Sequence, residues 1–226
     1  FGDYSKRQLK KIKSAADSVD ALGEKFKAMS EDELRSVTPA FRKRLENGES
    51  LESLLPEAFA AVREAADRVL GKRPFRVQVL GGILLHQGRI AEMKTGEGKT
   101  LCAAFAASYM AKNGHNVRIL TFNDYLAKRD SEWMKPIYDA LGISSACILH
   151  STDIADKKKL YKNQIVYITA REAGFDFLRD FVANTPEDCV QTDFDFCIAD
   201  EADSMMIDEA RVPLVIAGET AEKHDE

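Results

Sequence analysis

The sequence predicts an α/β fold in which a mostly parallel sheet carries helices on both faces, preceded by an N-terminal helical extension. Through the first third of the chain, apolar residues recur at helical spacing, whereas from Pro74 onward short β-rich runs alternate with helical stretches. Such alternation is typical of parallel sheets, because each crossover between parallel strands needs a helix. The 226 residues, 45% of them hydrophobic and 31% charged, are enough for one large domain with such an extension.

The first 73 residues are predicted to form the helical extension. A Lys-rich amphipathic helix comes first, and its apolar face consists of Leu9, Ile12, Ala16 and Val19. Ser30 and Glu33 have the spacing of a capping box. Thr38-Pro39 fits a second helix start with proline in the first turn. A long helix is expected over 55–70, and Gly71 would end it.

Residues 74–211 are predicted to form the sheet domain. The expected strands are 89–93, 117–122, 146–149, 165–169 and 194–199, and the expected helices are 101–111, 125–141 and 157–162. Strand 194–199 is apolar enough to be a buried strand. Residues 212–226, which turn polar after Ile216, are predicted to form a separate final segment.

Composition excludes several classes of protein. No stretch approaches the roughly 20 apolar residues that span a bilayer, and the first 13 residues are too charged for a secretory signal, so we expect a cytoplasmic chain. A net charge of -5 disfavours bulk binding of nucleic acid. The four cysteines, Cys102, Cys147, Cys189 and Cys197, show no CxxC spacing, so reduced thiols are expected. Cys102 and Cys197 lie in apolar runs and are predicted to be core residues.

A glycine-rich loop before the helix at 101–111 has the composition of a phosphate-binding loop. It consists of Lys94, Thr95, Gly96, Glu97, Gly98, Lys99 and Thr100. Glycines let backbone N–H groups face the phosphates, the lysine reaches the β- and γ-phosphates, and the threonine hydroxyl is a ligand for Mg²⁺. Met93 stands where the strict pattern has glycine. The loop predicts an ATP site that lies, as the mechanism requires, between a strand and a helix.

An acidic motif, Asp200-Glu201-Ala202-Asp203, follows the last predicted strand. The carboxyl ends of parallel strands are where ligands bind in open α/β sheets. Asp200 is expected to hold Mg²⁺ through a water, and Glu201 to polarise the water that attacks the γ-phosphate. With the loop upstream, the motif predicts a P-loop NTPase of the RecA-like, DEAD-type helicase core. The predicted catalytic residues are Lys99, Asp200 and Glu201, and the cofactors are ATP and Mg²⁺.

Gln78 lies upstream of the loop and has two readings. Its amide can donate and accept at once, which the recognition of an adenine edge requires. Most glutamines are simply surface residues. The four histidines are scattered, and none is a good metal-ligand candidate.

Longer stretches of the chain resemble the SecA family, the ATPase motors of bacterial protein export. These stretches are 47–51, 54–60, 62–66, 77–78, 81–82, 90–100, 123–130, 174–180, 203–204 and 207–211, and general helicases do not share them. The resemblance implies that this is the first nucleotide-binding domain, with Gln78 contacting adenine. It also implies a second RecA-like domain that completes the ATP site, and residues 212–218 as the exit strand toward an inserted preprotein-binding domain.

The resemblance further implies partners for the full-length protein. These are the SecY channel complex, secretory preproteins and anionic lipids at the inner face of the plasma membrane, with a homodimer as an allowed state and no specific nucleic acid. Where the family usually has Tyr-Gly-Thr-Asn-x-Glu-Phe, this chain has Tyr167-Ile168-Thr169-Ala170-Arg171-Glu172-Ala173, which is compatible with a divergent or accessory member.

Two alternatives remain open from the residues alone. The literal Asp-Glu-Ala-Asp motif also fits an RNA helicase that uses the same ATPase core. The other alternative is a non-catalytic nucleotide-binding module. For the isolated chain we expect nucleotide binding with poor hydrolysis, because half of a composite site would be missing.

Overall fold

The computed structural model describes residues 2–191, 195–208 and 211–215, with side chains from residue 6 onward. In this part of the chain the helices are α1 (Gly2–Ala21), α2 (Gly23–Lys27), α3 (Glu31–Glu46), α4 (Leu51–Leu70), α5 (Arg76–His86), α6 (Lys99–Lys112), α7 (Asp124–Ala140), α8 (Ile154–Leu160) and α9 (Ala170–Phe181). The strands are β1 (Val117–Thr121), β2 (Ser145–Cys147), β3 (Ile165–Thr169) and β4 (Phe196–Ala199). A 3-10 turn lies at Pro186–Asp188, and a π-helical turn at Ser204–Asp208.

The sheet is parallel, with the strand order β2-β3-β1-β4. Alternate residues of β3 point to opposite faces. Ile165 and Tyr167 join the large core with α6 and α7, whereas Val166 and Ile168 join a smaller core with residues of α8 and α9. Helices therefore cover both faces, and the predicted fold class is confirmed.

The extension is helical as expected, and its first helix buries the predicted face. Ile12, Ala16 and Val19 are buried in the large core, whereas Leu9 is 51% exposed. The capping box at Ser30 is confirmed, since the Ser30 N–H donates to Glu33 Oε2 at 2.7 Å and the Glu33 N–H donates to Ser30 Oγ at 3.2 Å. The same core contains residues on both sides of position 73, so it marks no boundary there. The domain limits at 73 and 211 therefore remain predictions.

The expected helix start at Thr38-Pro39 is wrong. Pro39 lies inside α3, which begins at the Ser30 cap. The Thr38 hydroxyl does not cap a helix but donates to the Leu141 carbonyl oxygen at 2.5 Å, at the end of α7. A buried long-range hydrogen bond has therefore replaced the local one that the Thr-Pro pair favours.

Two strand predictions also need correction. Residues 89–93 form no strand, and the Ile90 side chain is 95% exposed. The segment forms no strand although β4, next to β1, is an edge of the described sheet. β4 is an edge strand of the described sheet and is only partly buried, which leaves Cys197 exposed and not in the core. The predicted start of this strand at Phe194 and the exit segment from 216 to 226 lie outside the described residues.

Two adjacent glycines bring α5 against α6. A Cβ added at Gly82 would lie 2.6 Å from the Phe105 Cβ, and one added at Gly81 would lie 2.9 Å from Cys102 Sγ. The backbone of α5 therefore lies directly against side chains of α6 at this point. Because α6 begins at the glycine-rich loop, this contact sets α5 beside the loop.

Candidate nucleotide-binding site

The glycine-rich loop leads directly into α6. Gly96 and Gly98 have φ values of +88° and +83°, a region that suits glycine, and Gly98 is the N-cap of α6. Within the turn the Lys94 N–H donates to Glu97 Oε2 at 2.8 Å, and the Glu97 N–H donates to the Lys94 carbonyl oxygen at 3.2 Å. Residues 94–97 are exposed, whereas residues 98–100 are half-buried. The free N–H groups at the start of α6 therefore face an accessible space suited to anions.

Lys99 and Glu201 meet although they are far apart in the sequence. Lys99 Nζ lies 3.3 Å from Glu201 Oε1, and the two side chains are 34% and 40% exposed. Lys99 is the first residue of α6, and Glu201 lies two residues beyond β4. The sheet thus brings the loop and the acidic motif to one site, which sequence spacing could not show.

The acidic motif is held by the backbone where β4 ends. The Asp200 N–H donates to the Leu120 carbonyl oxygen of β1 at 2.9 Å, and Asp200 Oδ1 accepts from the Glu201 N–H at 3.0 Å. Glu201 has a φ of +53°, which is unusual for a residue with a side chain. Burial raises the pKa of Asp200, the Glu201 charge raises it further, and Lys99 opposes both.

Gln78 is not a surface residue, since it is 6% exposed. Its Oε1 accepts from the Phe75 N–H at 2.8 Å, and its Nε2 donates to the Glu97 carbonyl oxygen at 3.0 Å. A Cβ added at Gly98 would lie 2.2 Å from Gln78 Nε2. The amide therefore joins the start of α5 to the loop. Glycine at 98 serves both the positive φ and this close approach.

Met93, which departs from the strict loop pattern, has a packing role. Met93 Sδ lies 3.2 Å from Cys102 Sγ and 3.3 Å from the point where a Cβ added at Gly81 would stand. Methionine fills such irregular gaps well. It therefore packs between α5 and the first turn of α6.

The donor set fits Mg²⁺. Thr100 at the start of α6 and Asp200 beyond β4 are both half-buried and offer a hydroxyl and a carboxylate, the hard oxygen ligands that Mg²⁺ prefers. Lys99, the first residue of α6, supplies a positive charge next to Glu201.

Sequence reasoning assigned no role to two residues near the site. The Phe75 ring is 73% exposed at the N-cap of α5, directly beside Gln78. Asp130 on α7 is 2% exposed, and its charge raises the pKa of Asp200. Burial raises the pKa of Asp130 itself, against its ion pair with Arg129. The only signal for Asp130 was its place in the family-like stretch 123–130.

A protein-family model and several curated relatives match nearly the whole chain. A model of the SecA DEAD-like domain matches residues 1–226. The protein translocase subunit SecA of Acetivibrio thermocellus is 53% identical over 218 residues, which are 96% of this chain and 24% of the relative. That of Caldicellulosiruptor saccharolyticus is 51% identical over 225 residues, 100% of this chain and 26% of the relative. A chloroplastic SecA of Ostreococcus lucimarinus is 51% identical over 217 residues, 96% of this chain and 23% of the relative.

The fold also resembles that of a solved structure described as a hypothetical ATP-dependent RNA helicase from Sulfolobus tokodaii. The TM-score is 0.50 at 23% identity, with 66% of this chain and 43% of the other covered. This likeness supports the helicase-type core as a fold. The chain spans about a quarter of the length of the SecA relatives it matches. With the DEAD-like domain matched end to end and half of the residues identical to translocase subunits, the chain belongs to the SecA family.

Proposed function

We propose that this chain is the ATP-binding part of a protein translocase motor. The contact between Lys99 Nζ and Glu201 Oε1 at 3.3 Å carries the proposal, because it unites a phosphate-binding loop and a hydrolytic carboxylate in one site. The translocase names of the relatives support the same function. The full-length protein would couple ATP hydrolysis to the export of preproteins through the SecY channel.

Each site residue then has a role. Backbone N–H groups of residues 94–100 and the start of α6 would bind the phosphates, and Lys99 would leave Glu201 to reach the β- and γ-phosphates. Glu201, once released, would orient and deprotonate the attacking water. Thr100 and Asp200 would hold Mg²⁺, which supplies charge neutralisation on the phosphates. Gln78, with Phe75 beside it, would contact adenine.

We further propose that residues 1–73 serve as a helical extension of a nucleotide-binding domain over 74–211, followed by a segment toward a precursor-binding domain. The full-length protein would act in the cytoplasm at the inner face of the plasma membrane, and a homodimer is compatible with this role. None of the helices in the described ranges is long and apolar enough to span a bilayer. The exposed lysines of α1, Lys10, Lys11 and Lys13, offer a face for anionic lipid.

An RNA helicase is the second candidate, and the DEAD motif together with the helicase-like fold favours it. RNA phosphates would bind the free backbone N–H groups at the N-termini of α7 and α9, which follow β1 and β3. Here the first turns carry the chain's own carboxylates: Asp124 Oδ2 accepts from the His150 N–H at 3.0 Å, and Glu172 pairs with Lys157 at 2.7 Å. These carboxylates occupy the helix starts where RNA phosphates would bind, which favours the translocase over the helicase.

Calorimetry of the chain with ATP and Mg²⁺, followed by a phosphate-release assay, tests the proposal. We expect saturable binding but little turnover from these 226 residues, because we propose that a second motor domain provides the remaining transition-state contacts. Vigorous hydrolysis that is lost in Glu201→Gln would show that the chain holds a complete site. Absence of ATP binding would overturn the proposed function. Stimulation of the full-length protein's ATPase by RNA and not by preprotein would favour the helicase.

A further inference from the structure

Asp20, near the end of α1, lies at the centre of an ion-pair cluster that joins three helices. Its carboxylate pairs with Arg63 of α4 and with Arg76 of α5. Arg76 also pairs with Asp17 at 2.6 Å and donates to the Lys13 carbonyl oxygen at 3.1 Å. We call Asp20, Arg63 and Arg76 the Asp20 cluster. It connects the N-terminal extension to α5.

The Asp20 cluster leads to the base-contacting end of the site. Arg63 Nε donates to the Pro74 carbonyl oxygen at 3.0 Å, and the Arg63 side chain is only 14% exposed. The next residue, Phe75, is the N-cap of α5, and its N–H donates to Gln78. Gln78 in turn donates to Glu97 of the loop. An unbroken series of contacts therefore runs from α1 to the phosphate-binding loop.

The carboxylate of Asp20 is charged at neutral pH. Partial burial raises the pKa of Asp20, but its hydrogen bonds with Arg63 and Arg76 outweigh burial and bring the pKa below its usual value. The negative charge keeps two guanidinium groups together. Without it, Arg63 and Arg76 would lose their shared partner, and Asp17 would still pair with Arg76 alone.

The Asp20 cluster is not needed to dock α1. The helix is also anchored by three buried side chains, Ile12, Ala16 and Val19. A separate hydrogen bond joins Arg89 to Gln8 Oε1 at 3.2 Å. Loss of Asp20 should therefore leave α1 in place, and its effect should reach the site through the start of α5.

We propose that Asp20 is a positioning residue for base recognition, which holds Phe75 and Gln78 where the purine ring binds. The N-terminal extension is then a part of the nucleotide site and not only a helical covering of the core. The inference rests on the proposed function. It goes further, since it makes the N-terminal extension a support of the base-binding end of the site.

Asp20→Ala in the 226-residue chain tests this, with ATP and inorganic tripolyphosphate as the two probes and Mg²⁺ present. We expect the Kd of ATP to rise about threefold to tenfold, the range of one or two hydrogen bonds, with the Kd of tripolyphosphate unchanged. Asp67→Ala is the matched control, because Asp67 of α4 pairs with Arg73 at 3.0 Å, and within the described ranges no ion pair or hydrogen bond joins its carboxylate to α1 or α5. It should bind both probes as the unmodified chain does.

Three further variants distinguish positioning from loss of stability. Arg76→Ala should reproduce the ATP defect, and the Asp20→Ala/Arg76→Ala double variant should be no worse than either alone. Asp20→Glu, which keeps the charge, should recover most of the affinity for ATP. Equal weakening of ATP and tripolyphosphate, or unchanged ATP affinity in Asp20→Ala, would overturn the inference. If the unmodified chain binds tripolyphosphate and not ATP, the proposed function itself fails.

Discussion

Two lysines at opposite ends of α6 occupy contrasting environments. Lys99 opens the helix, is 34% exposed and pairs with Glu201. Lys112 closes it, is fully buried, and its Nζ has no hydrogen-bond acceptor within the described ranges, although it lies 5.5 Å from the Phe41 ring centroid. Burial lowers the pKa of Lys112 to about 7. The lysine at the start of α6 is thus available to a ligand, whereas the lysine at its end lowers the stability of the fold.

The contrast separates function from stability along one element. A lysine that binds phosphate must be accessible and charged, and its partner must release it. A lysine inside the core contributes its apolar stem but loses hydration of its ammonium group. Substitutions at the two ends should therefore act on different measurements.

Lys99→Ala should produce the largest effect. It removes a charge-assisted contact to phosphate worth about 1.5–3 kcal/mol, so the Kd of ATP should rise about tenfold or more. The melting temperature should hardly change, because the exposed ion pair contributes little. Calorimetry and thermal unfolding measure the two quantities. Lys43→Ala, at an exposed position on α3, is the control, and unchanged ATP affinity in Lys99→Ala would refute the loop assignment.

Lys112→Met should act in the opposite way. Replacing the buried ammonium by an apolar group of similar length should stabilise the fold by about 1–3 kcal/mol at pH 7, with ATP affinity unchanged. Urea unfolding followed by circular dichroism measures the difference. A less stable variant would show that Lys112 has a stabilising partner in solution.

The pH dependence of unfolding tests whether the buried ammonium group of Lys112 lowers the stability of the fold. The pKa of Lys112 is about 7 in the folded chain and near 10.5 when unfolded, so between these values the unfolded state binds more protons. Its contribution to stability therefore rises from pH 7 toward pH 10.5, and below pH 7 the full cost remains. Lys112→Met should lack this rise. Parallel curves for both proteins over that range would contradict the assignment.

Glu201→Gln should give the smallest change. It removes the ion pair that holds Lys99 in the nucleotide-free chain, and such half-exposed pairs are worth about 0.2–1 kcal/mol. ATP should bind up to about fivefold more tightly, as competition experiments with a fluorescent nucleotide would show. Weaker binding would mean that Glu201 helps to hold the nucleotide and not only to restrain Lys99.

Local sequence signals predicted those elements that an apolar run or a cap within a few positions specifies. The strand at Ile165–Thr169 has the predicted limits, and Ser30 caps α3 through residues three positions away. Thr38-Pro39 misled because the Thr38 hydroxyl bonds to a residue 103 positions later. Residues 89–93 misled because an apolar run does not by itself form a strand, and Ile90 in this run is 95% exposed.

The residues of the candidate site also divide into those that local patterns predicted and those that they did not. Motif spacing predicted Lys99, Asp200 and Glu201, since each lies next to the end of a strand or the start of a helix. Spacing could not predict that Gln78 is buried against Gly98, that Phe75 stands beside it, or that Asp130 lies near the acidic motif. These placements arise from helix packing, which brings together residues that no local pattern connects.

The glycine contact between α5 and α6 has a consequence for the sequence at these positions. A Cβ added at Gly82 would lie 2.6 Å from the Phe105 Cβ, an atom that no side-chain rotation can move. Any larger residue at position 82 would therefore push α5 away from α6. Because Gln78 lies on α5 and bonds to Glu97 of the loop, such a substitution would also separate the amide from the loop.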